Sequence, residues 1–103
     1  MSDIFSLSGK TVAITGGGGI LCGEMALAIG KAGAKVAVLD LAEEAAAKVA
    51  KQIKADGGSA VAVKCNVLDK ASIEEAKVKI ESESGKLDIL INGAGGNRKD
   101  ATA

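Results

Sequence analysis

From Lys10 to Gly23 the sequence reads KTVAITGGGGILCG, and no other stretch restricts the fold as much. Lys10–Thr15 is rich in β-formers and runs straight into four consecutive glycines, Gly16–Gly19. An apolar, helix-competent segment, Ile20–Ala32, follows at once. A strand that becomes a helix through bare backbone is a geometry suited to phosphate. Glycine lacks a Cβ, so the chain turns sharply and a ligand can approach the main chain. The helix that follows directs its unpaired N–H groups and positive dipole end at that space. The stretch therefore predicts a nucleotide pyrophosphate site.

The rest of the chain is consistent with that prediction. The first helix carries Leu21, Met25, Ala28 and Ile29 at helical spacing, with Gly33 as a left-handed stop. A second strand covers Lys35–Leu39 and ends at Asp40. A second helix covers Leu41–Asp56, with Leu41, Ala45, Val49 and Ile53 as its inward stripe; Gly57 and Gly58 end it. Glu44 and Lys48 form an i,i+4 pair on its wet face. A third strand, Ser59–Lys64, leads to Cys65 and Asn66. Asp69 can cap a third helix running to about Glu83, and Ser72 with Glu75 is an alternative capping box. Ile73, Ala76 and Ile80 are its inward residues, and Gly85 stops it. Leu87–Ile91 is a fourth strand, followed by Asn92-Gly93-Ala94-Gly95-Gly96. The remaining residues, 97–103, are polar and without pattern.

Alternation βαβαβαβ with short breaks predicts an α/β fold with a parallel sheet, because each helix acts as a crossover. With a glycine-rich first turn the expected strand order is 3-2-1-4. This is a partial, three-layer, Rossmann-type doubly wound sheet in one domain spanning residues 1–103. In such a sheet all strands end on one edge, where ligands bind. The four ends here carry Gly16–Gly19, Asp40, Asn66 and Asn92–Gly95, all small or short polar residues.

Each end has a functional reading and a plainer one. The glycine run can accept phosphate on main-chain N–H groups, or be a tight turn. Asp40 lies about twenty residues past the loop, where a carboxylate takes the ribose hydroxyls of an adenosine. It can equally cap the second helix. Its charge repels a 2′-phosphate and the loop offers no lysine or arginine, so NAD is expected over NADP. Asn66 can meet the adenine amino group, or serve a turn. Asn92–Gly95 leaves room for a ribose against backbone, or is a loose strand exit.

Composition excludes other classes. The chain has 103 residues, of which 48% are hydrophobic and 25% charged, as in a small globular domain. Its net charge is zero and Phe5 is its sole aromatic, which argues against nucleic acid or a membrane surface as partner. Met1–Gly9 has no apolar core, and the two cysteines, Cys22 and Cys65, read as inert thiols, so a cytoplasmic location is expected. Histidine is absent, so neither a Ser–His–Asp site nor a histidine-ligated metal can be built within this chain.

TGGGG after the first strand, Leu39-Asp40, Cys65-Asn66-Val67 and Asn92-Gly93-Ala94-Gly95 together resemble the short-chain dehydrogenase/reductase family, over Gly9 to about Gly96. The resemblance implies NAD(P)-dependent interconversion of a hydroxyl and a carbonyl. It implies that the backbone of Gly16, Gly18, Gly19, Ile20 and Leu21 holds pyrophosphate and that Asp40 holds the adenosine ribose. Asn66 and Val67 would meet adenine, and Asn92, Ala94 and Gly95 would line the nicotinamide side. TGGGGILCG with INGAGGN looks most like the branch of D-mannonate oxidoreductases (fructuronate reductases).

Three departures stand out, the largest being length. In the family's TG-x-x-x-G-x-G loop, the second and third glycines fall on Ile20 and Cys22. In its NNAG motif, the second asparagine falls on Gly93. The family's Y-x-x-x-K pair also lies beyond the fourth strand, and this chain has no tyrosine. The expectation is a cofactor-binding half, truncated before the catalytic half and inactive alone, whose parent acts on a small molecule and forms a homo-oligomer. An S-adenosylmethionine-dependent methyltransferase domain, or a non-enzymatic nucleotide-binding module, are the alternatives.

Overall fold

The computed structural model describes residues 7–16, 20–66 and 68–93. Seven elements alternate in the expected order: β1 (Thr11–Thr15), α1 (Ile20–Lys31), β2 (Lys35–Asp40), α2 (Glu43–Ala55), β3 (Ser59–Lys64), α3 (Lys70–Ser84) and β4 (Ile89–Asn92). All pairings are parallel and the strand order is β3-β2-β1-β4. The register sets Thr15 beside Leu39 and Asn92, and Asp40 beside Lys64, so the strands end together.

The sheet separates two cores. Val12, Ile14, Val36 and Val38 pack on one face with Ala26 of α1 and with Ala46, Ala50 and Ile53 of α2. Ala13, Ala37, Leu39 and Val63 pack on the other face with Ala76 and Ile80 of α3. β1 is buried at every residue, as a strand covered on both faces must be. Leu7 adds to the first core and donates its N–H to the Ala32 carbonyl, tying the lead-in to the end of α1.

The helix faces differ from those the apolar spacing predicts. Among the described residues of α1 those buried are Gly23, Ala26 and Gly30, while Met25 and Ala28 are exposed and Ile29 is half-buried against the core; the Leu21 side chain lies outside the described residues. The cause is close packing. A Cβ on Gly30 would stand 2.8 Å from Ile53 Cγ2, so no side chain fits at that point, and Leu27 and Ile29 pack on the core from either side of it. In α2 the buried stripe is Ala46, Ala50 and Ile53, with Ala45 and Val49 half-buried and Leu41 61% exposed. Asp40 Oδ1 accepts the Ala42 N–H at 3.0 Å, which closes a turn before the helix and delays its start to Glu43. Asp40 is therefore a turn residue rather than the cap; Ala42 is the cap and makes no side-chain bond.

Asp69 caps α3, its Oδ1 accepting from Ala71 N at 3.0 Å. The alternative capping box does not form, because Ser72 lies inside the helix and its hydroxyl accepts the Asn66 N–H. Ile73 is exposed rather than inward. Gly33 and Gly85 take positive φ at the ends of α1 and α3, as a left-handed stop requires. β4 starts at Ile89, later than expected, because Asp88 is used to clamp it. Thr11 N donates to Asp88 Oδ2 at 2.9 Å, and Asp88 N donates to the Thr11 carbonyl at 2.9 Å.

Candidate cofactor site

The site is the edge where the strands end. β1 hands over to Gly16, whose φ of 68° lies in the left-handed region that only glycine enters cheaply. Four residues later the chain is already helical at Ile20 and Leu21, so the turn feeds the N-terminus of α1. A helix start carries unpaired N–H groups, and here they meet the strand edge. Gly18 and Gly19 lie outside the described residues, as do Val67, Ala94 and Gly95.

At the end of β2 the Asp40 side chain is half-buried, and its turn bond to Ala42 orients it. A carboxylate accepts about four hydrogen bonds, so a diol can share it with the backbone. At the end of β3, Asn66 is held twice. Its N–H donates to Ser72 Oγ at 3.0 Å, and its side-chain Oδ1 accepts from Leu68 N at 3.0 Å. That second bond takes the amide oxygen expected to receive adenine, and leaves it one further lone pair. Cys65 beside it is buried, its thiol donating to the Ser72 carbonyl at 3.9 Å.

β4 delivers Asn92 next to Thr15. Thr15 Oγ1 donates to Asn92 Oδ1 at 2.9 Å, which joins the start of the glycine turn to the fourth strand end. Gly93 then passes so close over the turn that an added Cβ would stand 2.8 Å from the Thr15 carbonyl oxygen and collide with Cys22 Sγ. Thus Gly16, Asp40, Asn66 and Asn92 share one edge. Thr15, Ser72 and Cys22 support it, though none of them was a candidate site residue. A β-branched hydroxyl at the strand end, immediately before the glycines, was the available signal for Thr15.

Among the described residues no group of three or more histidine, cysteine or acidic side chains could hold a metal. Both cysteines are free. No helix among the described residues is long and apolar enough to cross a membrane.

The sequence model of the short chain dehydrogenases matches residues 10–103. The chain belongs to the short-chain dehydrogenase family. Its relatives in that family include an uncharacterized oxidoreductase, UxuB, of Bacillus subtilis (strain 168), 50% identical over 93% of this chain and 34% of that protein. The 5-keto-D-gluconate 5-reductase of Escherichia coli K12 is 36% identical over 96% of this chain and 39% of its own length. A Haemophilus protein described as a candidate D-mannonate oxidoreductase, solved with bound NAD, superposes with a TM-score of 0.86. It is 49% identical over 91% of this chain and 34% of its own. The chain thus spans little more than a third of the length of such short-chain dehydrogenases. The family assignment sets aside the methyltransferase reading.

Proposed function

We propose that this chain is the NAD-binding half of an oxidoreductase that interconverts a hydroxyl and a carbonyl. The observation that carries the reading is the convergence of a left-handed Gly16, the start of α1, the Asp40 carboxylate and the Asn92–Gly93 exit on one sheet edge. The NAD held by the Haemophilus relative supports it. The donor set fits a dinucleotide: main-chain N–H groups for the pyrophosphate, a carboxylate for a ribose diol, and bare backbone at Gly93.

The roles follow the strand order. Gly16, Gly18, Gly19, Ile20 and Leu21 hold pyrophosphate through backbone. Asp40 accepts both hydroxyls of the adenosine ribose, and its charge disfavours a 2′-phosphate, so NAD is bound over NADP. Asn66 and Val67 border adenine, and Asn92, Ala94 and Gly95 border the nicotinamide side. The bound dinucleotide supplies the hydride acceptor or donor. Family chemistry also needs a proton donor beside the substrate oxygen, and this chain holds no tyrosine for that role. The 103-residue chain therefore binds cofactor without turning substrate over. A sugar acid of the mannonate or fructuronate kind is the proposed substrate of the complete enzyme, supported by the branch-like motifs and the keto-gluconate reductase relative.

Calorimetric titration of the chain with NAD and NADP tests the reading. NAD is expected to bind at least tenfold more tightly. No heat with either cofactor overturns the site, and equal affinities overturn the preference. Consumption of NADH with fructuronate by this chain alone would overturn the claim that it is inactive.

A further inference from the structure

The strand exit at Gly93 and the first turn of α1 are wedged together. A Cβ at position 93 would meet two bodies, Cys22 Sγ and, at 2.8 Å, the Thr15 carbonyl oxygen, while Cys22 Cβ stands at an ordinary 3.6 Å. The carbonyl is backbone of the strand end and cannot yield without moving the glycine turn. The thiol is the movable partner, and it is held in place. Cys22 is half-buried and packs on the core that contains Ile14, with Ile91 of β4 packed against the same core. The volume missing at 93 is therefore filled from position 22. Two of the departures from the family pattern, Cys22 for a glycine and Gly93 for an asparagine, fall on these two neighbouring positions.

We propose that Cys22 and Gly93 are one coupled positioning pair. The thiol on α1 sets how closely the fourth strand exit lies over the start of the glycine turn. It thereby sets the separation between the backbone assigned to pyrophosphate and the backbone assigned to the nicotinamide side. The pair acts through backbone placement and takes no part in hydride transfer. A side chain at 93 must move away from the Thr15 carbonyl, and the only direction open to it is the space that Cys22 Sγ fills, so bulk at both positions is excluded. The proposal rests on the NAD-site reading for its consequence, though not for the contact itself.

The test is a double-mutant cycle on the 103-residue chain with Gly93→Ala and Cys22→Ala, since alanine at 22 removes only the sulfur. Each variant is read by NAD titration and by thermal melting. Where Cys22 is present, its labelling rate with a thiol reagent is read as well; Cys65, 2% exposed, reacts slowly. Gly93→Ala with Cys22 retained is expected to weaken NAD binding at least tenfold and to speed labelling of the displaced thiol. In the Cys22→Ala background the same change is expected to cost markedly less, because the Gly93 backbone can shift away from the Thr15 carbonyl into the space the sulfur leaves. Equal losses in both backgrounds, or no loss with Cys22 present, overturn the pairing. If Gly93→Ala does not fold, folding of the double variant is the expected rescue, and failure of both is checked by Cys22→Leu, which presses on Gly93 from the other side. Cys22→Leu is expected to lose more NAD affinity than Cys22→Ala; equal affinities overturn the proposal. If the unsubstituted chain binds no NAD, the site reading fails separately, and melting and labelling still report the coupling.

Discussion

Asp40 is proposed to do two jobs with one carboxylate. It closes the turn onto Ala42 N and is assigned to the ribose at the open edge. Asp40→Asn separates them, because the amide oxygen keeps the turn and the charge is lost. Hydrogen bonds to a charged group are worth about 1.5–3 kcal/mol. NAD affinity is therefore expected to fall about tenfold or more, at about 1.4 kcal/mol per factor of ten. The preference over NADP is expected to shrink, and the melting temperature to hold. Calorimetry on both cofactors checks this, and an unchanged NAD to NADP ratio would count against the role. Asn66 shows where residue-level reading stops. Its place after β3 was legible from the turn chemistry of asparagine, but Ser72, which holds its backbone, sits six residues on, inside the next helix. No local pattern links the two.

Among the elements, the helix–sheet contacts teach the clearest lesson. Strand order and the shared edge were readable because βαβ alternation admits few topologies. The faces of α1 and α2 were legible only in part: Ile53 is buried and Ile29 and Val49 pack on the core as the spacing predicts, but the most buried positions, Ala26, Gly30, Ala46 and Ala50, are small residues that hydrophobic spacing passes over. Ile53 Cγ2 lies where a Cβ on Gly30 or on Gly58 would fall, at 2.8 and 2.9 Å. Isoleucine is branched at Cβ and cannot swing that methyl aside. Gly30→Ala gains helix propensity of about 1 kcal/mol but overpacks a tight crossing, which costs about 1–3 kcal/mol. The net expectation is a lower denaturation midpoint. A raised midpoint would show that α1 can retreat from α2. In α3, Asp69→Ala removes the capping oxygen from Ala71 N. Loss of such a cap costs about 1 kcal/mol, read as a reduced midpoint with the denaturant slope unchanged.

For the molecule as a whole, β4 lies among the described residues at one edge of the sheet with Ile89 and Leu90 exposed, Leu90 by 58%. An apolar edge strand is a template for pairing with another chain. The 103-residue chain is expected to self-associate, with a sedimentation-derived mass that rises with concentration. Leu90→Lys is expected to suppress that rise, since an edge lysine opposes pairing. A single monomeric species at all concentrations would overturn the expectation. The same strand has a consequence for the order of assembly. β4 docks on β1, and the bonds that join them link residues 76 or 77 positions apart. The two ends of the described chain must meet before the edge is whole, and closing so long a loop slows folding. A ribosome releasing this chain exposes Gly16 and Asp40 early, yet β1 keeps an open flank until Asn92 emerges. The part of the edge assigned to adenosine can thus take shape during synthesis, whereas the part assigned to nicotinamide waits for β4.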